Sequence, residues 1–293
     1  MFAISETQAL QALRCETSGL SSFAADLLEK DLVISEVLQL IASLKINSGS
    51  IQFGGGTSLV KAWDLPNRLS EDIDLKYAAD PNLSRNQQNA ALKSYRDELE
   101  AGLLNRNFVV VDRIGEVAPS QFFSMVVAYE SKFERSRTVE AVVRVECKRE
   151  DLILLPVKRK VVNLAESLLQ LEGTGAELFC TRPEEIASQK LWIVLGDIQC
   201  FAKQPRDVRH LYDLEQLSRK RLAVDDFLDA FDLVNSARGH RSFSSKFWQL
   251  AESKELEDVF MDELSDLTPA LPRYSDVVLG LKRFEALLEK LEH

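Results

Sequence analysis

Apolar residues in the first half of the chain recur at two different spacings. Between residues 23 and 44 the spacing is roughly helical, which predicts one amphipathic helix. Residues 138–148 instead alternate, with Val143, Val145 and Cys147 on one side of a predicted strand. The first half therefore predicts strands interleaved with helices. The predicted strands lie at 51–53, around 72–75, and at 108–112, 122–129 and 138–148. The predicted helices lie at 23–44, 58–62 and 90–106. Residues 81–89 are a predicted polar loop.

The second half has a helical pattern from about residue 156 onward. Thr181 is a predicted N-cap, with Pro183 in the first turn and Glu184 three residues on. Further helices are predicted at 206–219, 224–234 and 274–291. We expect an α+β protein with two domains, a mixed sheet with flanking helices at 1–160 and an all-helical domain at 161–293.

Composition and charge narrow the classes of function. The 293 residues carry a formal net charge of −10, which argues against a general binder of polyanions. Basic clusters at 148–149, 158–160 and 219–221 are usually solvated surfaces, although in an acidic chain they would focus an RNA backbone toward one cleft.

Cysteine spacing and hydropathy indicate a cytoplasmic protein. The four cysteines show no CxxC or Cys/His pairing, so we expect reduced thiols and no zinc site. No apolar run is long enough to span a membrane, so no membrane partner is expected. The sequence predicts no particular oligomeric state.

A glycine turn and two aspartates form the strongest candidate site. Gly54, Gly55 and Gly56 follow a predicted strand, and Asp72 and Asp74 follow on the next one. Residues i and i+2 of a strand share a face, so both carboxylates point the same way while Ile73 and Leu75 point into a core. Paired carboxylates suit Mg²⁺, and a glycine turn offers backbone N–H groups to a phosphate. Solvated acids at a strand end are the plain alternative.

Glu146 is a candidate third acid. It lies on the predicted strand at 138–148, with Arg144 on the same face. If this strand neighbours that of Asp72 and Asp74, three acids converge and a cation is needed to offset their repulsion. The alternative is an Arg144/Glu146 stripe on the surface of an edge strand.

Lys190 lies within an apolar stripe of a predicted helix, between Ile186 and Ile193. Such a lysine either extends its charged end to solvent or is directed into a cleft, where it would bind a nucleotide phosphate. The sequence alone leaves both options open.

Polar residues further along also have two interpretations. Arg206, Arg209 and Asp213 share one face of a predicted helix. They either form a polar wall of a nucleotide site, or Arg209 and Asp213 simply form an ion pair. His210 points off that face and is expected to be structural or exposed.

Two residues before the aspartate pair have similar alternatives. Arg68 is a candidate partner of an acid or a phosphate, or half of a surface ion pair. Ser70 is a candidate for hydrogen bonding to the turn or to a phosphate, or simply ends a loop.

Taken together and in order, these motifs resemble the AbiEii/MenT family of nucleotidyltransferase toxins, which belongs to the polymerase-β-like nucleotidyltransferase superfamily. The resemblance extends from about Glu29 to Leu214. The matching segments are Glu29-Lys30-Asp31, Phe53 to Leu59 (FxGGTxL), Arg68 to Leu75 (RxSEDIDL), Arg144 to Glu150, Lys190, and Arg209 to Leu214; Gln189 replaces the glutamate common in the family.

This resemblance implies a nucleotidyltransferase fold and a role for each matched residue. Nucleoside triphosphate (NTP) is the implied substrate and Mg²⁺ the implied cofactor. An RNA acceptor, the 3′ end of tRNA, is implied, together with a block of translation and a cognate antitoxin. The implied metal ligands are Asp72, Asp74 and Glu146; these three, Lys190 and Asp213 are the implied catalytic residues; Gly55, Gly56, Thr57, Arg68, Ser70 and Arg209 are the implied nucleotide-binding residues.

Two other functions fit the same residues. One is an enzyme of the same fold that modifies a small molecule or a protein, including itself through Ser70. The other is a non-catalytic module that binds a nucleotide or a partner protein. The presence of every expected acid and of Lys190 favours an active enzyme.

Overall fold

A computed structural model describes most of the chain, in two compact units. The described residues are 1–21, 23–46, 48–65, 68, 70–114, 121–134, 140–171, 175–201, 203–265, 267–268 and 271–291. The first unit comprises Met1–Asp64, Leu69–Leu152 and Pro156–Thr181, and the second comprises Leu65–Arg68, Ile153–Leu155 and Arg182–His293.

The first unit is built on a seven-stranded mixed sheet with the order β3-β4-β5-β2-β1-β7-β6. Its strands are β1 (Gly49–Gly54), β2 (Asp72–Ala79), β3 (Val109–Ile114), β4 (Phe122–Ala128), β5 (Val142–Arg149), β6 (Val157–Lys160) and β7 (Glu177–Cys180). Its helices are α1 (Glu6–Thr17), α2 (Ala25–Ser43), α3 (Gly55–Trp63), α4 (Arg85–Asn105) and α5 (Leu164–Leu168).

The second unit is helical wherever the structure describes its regular elements. Its α-helices are α6 (Pro183–Asp197), α7 (Arg209–Arg219), α8 (Val224–Arg238), α9 (Ser245–Ala251), α10 (Lys254–Leu264) and α11 (Tyr274–Leu288), with 3₁₀ turns at Ile198–Cys200, Pro205–Val208 and Glu289–Leu291. The expected α+β class is confirmed. In the described part of the chain, no helix is both long and apolar enough to cross a membrane.

Strand pairing places the aspartate pair in the middle of the sheet. Strand β2 pairs antiparallel with β1 and parallel with β5. Ile73 and Leu75 are buried, whereas Asp72 and Asp74 on the opposite face are partly exposed. The predicted division of β2 into an apolar face and an acidic face is therefore confirmed.

Several predicted boundaries differ from the structure. The helical pattern assigned from residue 156 misses β6 and β7, because strands of four residues are too short to show a clear period. Helix α1 was also not predicted. Helix α4 starts at Arg85, inside the predicted polar loop, because Ser84 and Gln87 form a capping box.

The predicted start of α6 was wrong by one residue. Arg182 is the N-cap, Pro183 is the first helical residue, and no side chain caps the helix. Thr181 instead continues the strand pairing, since its backbone N–H donates to the carbonyl of Phe53. The domain boundary between residues 160 and 161 stays a prediction, and the compact units divide after Thr181.

Three consecutive charged residues of α2 are buried, and each binds a different segment of the first unit. Glu29 accepts hydrogen bonds from the hydroxyl of Ser131 and the backbone N–H of Lys132. Lys30 lies 3.5 Å from the carboxylate of Glu71, the residue that precedes β2. The buried Glu29 and Lys30 therefore connect α2 to the loop after β4 and to the start of the acidic strand.

Asp31 connects α2 to two further helices. Its carboxylate lies 2.8 Å from the ammonium group of Lys61 on α3 and accepts the backbone N–H of Leu164 at the start of α5. Lys61 also donates to the hydroxyl of Ser35. Since Asp31 and Lys61 are both almost fully buried, each charge depends on the other for compensation.

We predict that Asp31→Asn lowers the free energy of unfolding by about 3–5 kcal/mol, because it leaves the buried ammonium group of Lys61 uncompensated. Urea denaturation measures this change. The matched control is Glu177→Gln, which breaks the exposed Lys158–Glu177 pair and is expected to change the free energy of unfolding much less, because water screens an exposed ion pair. Equal losses in the two variants would contradict a structural role for the buried pair.

Candidate active site

Gly55 and Asp74 are in direct contact at the centre of the candidate site. Gly54, the last residue of β1, pairs in register with Asp74 of β2. Gly55 has φ +66°, and a Cβ on it would lie 1.8 Å from Oδ2 of Asp74. A side chain at residue 55 would thus be strained and would also displace the carboxylate, so this position of the turn requires glycine.

Two hydroxyls fix the start of α3. Thr57 donates to the backbone carbonyl of Asp72, and Ser58 donates to the carbonyl of Gly55 at 2.9 Å. No side chain caps the N-terminus of α3, whose N-cap is Gly54. The helix start therefore offers backbone N–H groups to an anion, while Thr57 is buried and holds the turn to the acidic strand.

Glu146 lies directly opposite Asp74 on the neighbouring strand. The parallel register of β2 and β5 pairs Asp74 with Glu146 and Asp72 with Arg144. Glu146 accepts a hydrogen bond from the buried Ser124 of β4 at 3.4 Å. Since residues paired in register share a face, Glu146 and Asp74 lie side by side, and β5 is an inner strand in place of the edge-strand alternative.

The carboxylates repel one another. Burial raises the pKa of Glu146 above its ordinary value, and the negative charge of Asp72 raises it further, whereas Arg144 and Ser124 oppose the shift. Arg144 lies 3.9 Å from Asp72, and both side chains are substantially exposed, so this ion pair offsets little of the repulsion. The acidic face is therefore suited to a bound cation.

Two of the carboxylates fit a magnesium ion by their chemistry. Mg²⁺ in nucleotide sites usually takes one or two protein carboxylates and completes its shell with substrate phosphates and water. Among the residues that the structure describes, no group of three or more His, Cys, Asp or Glu side chains is close enough to hold a metal. Asp72 and Asp74 fit this donor set, and the direct participation of Glu146 stays a prediction.

Asp213 is the centre of a second charged cluster, within the second unit. Arg68 donates to both of its carboxylate oxygens, Nε to Oδ1 and Nη2 to Oδ2, each at 2.7 Å. Nζ of Lys190 lies 2.9 Å from Oδ2. Burial alone would raise the pKa of Asp213, but Arg68 and Lys190 outweigh it and hold that pKa well below its usual range.

These contacts decide two of the open alternatives. Lys190 is buried and does not extend to solvent, and Arg68 is buried and does not form a surface pair. Arg209 binds Glu263 at 3.2 Å, whereas the carboxylate of Asp213 binds Arg68 and Lys190.

The segment around Arg206 also differs from the prediction. Helix α7 starts at Arg209, and Arg206 precedes it in the 3₁₀ turn Pro205–Val208. The side chain of Arg206 lies outside the described part of the chain. Ser70, two residues before Asp72, is partly buried.

His210 belongs to the charged cluster, which sequence reasoning missed. Its Nδ1 lies 3.2 Å from Nζ of Lys190. Burial lowers the pKa of His210 to about 3, and the positive charge of Lys190 contributes to this shift. The imidazole is therefore neutral at pH 7 and can accept a hydrogen bond from Lys190.

The comparisons with known proteins decide the family. The family model described as nucleotidyl transferase AbiEii toxin, type IV toxin–antitoxin system, matches residues 39–290. This chain belongs to the AbiEii family. It is accordingly a nucleotidyltransferase, and NTP as substrate and an antitoxin as counterpart follow from the family. None of the curated proteins searched matches the chain.

A solved structure shows the same fold. MenT4, a nucleotidyltransferase toxin from Mycobacterium tuberculosis, superposes with a TM-score of 0.61 over 95% of this chain and 89% of its own. The two sequences are 19% identical. The resemblance to AbiEii/MenT nucleotidyltransferases inferred from the motifs is confirmed, and the roles of the individual site residues stay predictions.

In this AbiEii-family chain, we predict that Gly55→Ala abolishes nucleotide transfer and lowers the free energy of unfolding, since its Cβ displaces Asp74. The matched control is Gly19→Ala, where φ is +69° but nothing lies within 4 Å of a new Cβ. Gly19→Ala should lower the free energy of unfolding by about 1–2 kcal/mol, because alanine is strained at a positive φ, and the variant should keep its activity. Wild-type activity in Gly55→Ala would show that the contact does not position Asp74.

His210 gives the same protein a predictable dependence on pH. Between pH 6.5 and pH 3 the unfolded chain binds a proton at His210 that the native state does not bind, so stability falls as pH decreases. The loss approaches about 1.4 kcal/mol per pH unit. Urea denaturation at pH 7 and pH 5 measures it, and His210→Asn should show a smaller difference between the two pH values. An unchanged difference would mean that His210 titrates normally in the native state.

Proposed function

We propose that this protein transfers a nucleotide from an NTP to the 3′ end of an RNA, with tRNA as the acceptor, and thereby blocks translation. The observation that carries the chemistry is Asp74, held against Gly55 and opposite Glu146 on the face that also carries Asp72. The proposed cofactor is Mg²⁺, held by Asp72 and Asp74, which when bound would neutralise charge on the transferred phosphoryl group.

The other residues of the first unit would bind and activate the reactants. The glycine turn and the uncapped start of α3 would bind the triphosphate through backbone N–H groups, with Ser70 beside Asp72 in the chain as a further hydrogen-bond donor. The raised pKa of Glu146 makes it a stronger base than an ordinary glutamate. Glu146 would therefore accept the proton of the attacking hydroxyl.

The cluster around Asp213 would supply positive charge to the same reaction. Asp213 holds Arg68 and Lys190 on one carboxylate, which restricts both side chains. Arg68 and Lys190 thus bring two positive charges to the single negative charge of Asp213, and the neutral His210 adds none. Lys190 would stabilise the negative charge of the triphosphate, and Arg209 would contribute to the nucleotide pocket.

An exposed lysine on the acidic face of the sheet supports a nucleic-acid acceptor. Lys148 follows Glu146 by two residues on β5, hence on the same face, and 59% of its side chain is exposed. With a net charge of −10, the protein has no general attraction for RNA. A local lysine of this kind would guide an acceptor without making the protein a general RNA binder.

The direct test is a transfer assay. Each of the four NTPs, labelled at the α-phosphate, is incubated with the protein, Mg²⁺ and total tRNA. We expect one or more labels to enter tRNA with the wild type and none with Asp74→Asn. Asp112→Asn, which changes an exposed aspartate on β3, is the control and should be fully active. Label on the protein alone would favour self-modification and would overturn the RNA acceptor.

A second prediction separates catalysis from stability in the charged cluster. Lys190→Met should reduce transfer at least 100-fold yet unfold cooperatively, because Arg68 still compensates Asp213 through two hydrogen bonds. Asp213→Asn should lose about 3–5 kcal/mol of stability, since it leaves two buried cations without their anion. Urea denaturation and the transfer assay measure the two effects. A Lys190→Met variant that is unfolded would assign Lys190 a structural role.

A further inference from the structure

A buried amide on the acidic face of the sheet makes no hydrogen bond to the part of the chain that the structure describes. Gln52 of β1 is fully buried, and neither Oε1 nor Nε2 has a hydrogen-bond partner among the described residues. An unsatisfied buried polar group destabilises a fold, and leucine would fill a similar volume without that cost. The amide therefore indicates a group that is absent from the isolated chain and that both donates and accepts hydrogen bonds.

The strand register places Gln52 one row from the acids. Gln52 pairs with Lys76 as Gly54 pairs with Asp74, and residues two apart on a strand share a face. The two rows are therefore about 7 Å apart. A ribose spans such a distance between a phosphate and its base, so a nucleotide with its phosphates at Asp74 can place its base in the row of Gln52.

An exposed aromatic residue continues this row on the next strand. Strand β7 runs parallel to β1, with Cys180 paired to Phe53, so Phe179 shares the face of Gln52. The ring of Phe179 is 49% exposed, although its neighbours in sequence, Leu178 and Cys180, are buried. An exposed aromatic ring beside an unsatisfied amide provides a surface for stacking a base and a group for reading its edge.

We infer that Gln52 and Phe179 form a subsite for the nucleobase, in which Phe179 stacks on the base and Gln52 selects which base is bound. The inference rests on the proposed function, since it concerns the nucleotide handled at Asp74. The Gln52 amide presents a donor and an acceptor side by side, and the edge of a base offers the complementary pair. Lys76, directly opposite Gln52, is buried as well, so a base reaches the amide only if the side chain of Lys76 moves aside.

The test measures binding of the four ribonucleoside triphosphates, and of their 2′-deoxy counterparts, by calorimetry with Mg²⁺ present. We expect the wild type to prefer one or two bases, and Gln52→Leu to reduce that preference tenfold or more. The Gln52→Leu variant should also melt at a higher temperature than the wild type. Phe179→Ala should weaken the binding of all four nucleotides by about tenfold without changing the order of their affinities, because stacking depends little on base identity.

A matched control lies on the opposite face of the sheet. Val157 of β6 pairs with the buried Cys180, and it is 40% exposed. Val157→Ala should bind all four nucleotides as the wild type does. Weakened binding in this variant to the extent seen for Phe179→Ala would overturn the stacking role, because the effect would then come from the sheet in general.

The remaining outcomes also decide the inference. A Gln52→Leu variant that is more stable but equally selective would overturn it, since the amide would then hold only water. Gln52→Leu could instead keep the base preference but discriminate less between ribonucleotides and 2′-deoxynucleotides. That result would show that the amide binds the ribose and would overturn base recognition. A wild type that binds and transfers nucleotides without base preference would overturn this inference alone, and one that binds none would overturn the proposed function as well.

Discussion

The site in the first unit depends on how closely the glycine turn packs against Asp74. The absence of a side chain at Gly55 lets the turn between β1 and α3 touch a carboxylate on the neighbouring strand. This contact, together with the bond from Thr57 to Asp72, places the start of a helix and a pair of acids at one end of the sheet. The helix start attracts anions and the acids attract cations, so their proximity would suit the metal-bound phosphate of the proposed reaction.

Buried charge is balanced differently in the two units. In the first unit, Glu29, Lys30 and Asp31 each bind a separate partner, and the acids of β2 keep part of their exposure to water. In the second unit, two cations share the single carboxylate of Asp213. The first arrangement uses charge to join segments of chain. The second gathers two cations on one buried acid, so removing that acid would affect both cations at once.

Local patterns in the sequence were sufficient for much of the fold and for the acidic pair. The alternation of Asp72, Ile73 and Asp74 fixed which side of β2 each residue occupies, because that depends only on the period of a strand. The partner of Arg68 could not be predicted, since Asp213 lies 145 residues away. The burial of His210 and the isolation of Gln52 depend on neighbours brought in by tertiary packing, and no local spacing reports them. The pairing of Glu146 with Asp74 was conditional on strand order, which sequence does not give.

The order of strands in the sheet has a consequence for how the protein is made. Strand β1 lies between β2 and β7, and β7 ends at Cys180, so the central part of the sheet stays incomplete until more than half of the chain has left the ribosome. The ion pair between Arg68 and Asp213 forms later still. Contacts between such distant segments slow folding, because a long loop must close before they form. A nascent or truncated chain that ends before residue 213 therefore carries Arg68 and Lys190 without the carboxylate that binds both of them, and this cluster forms only after Asp213 has been synthesised.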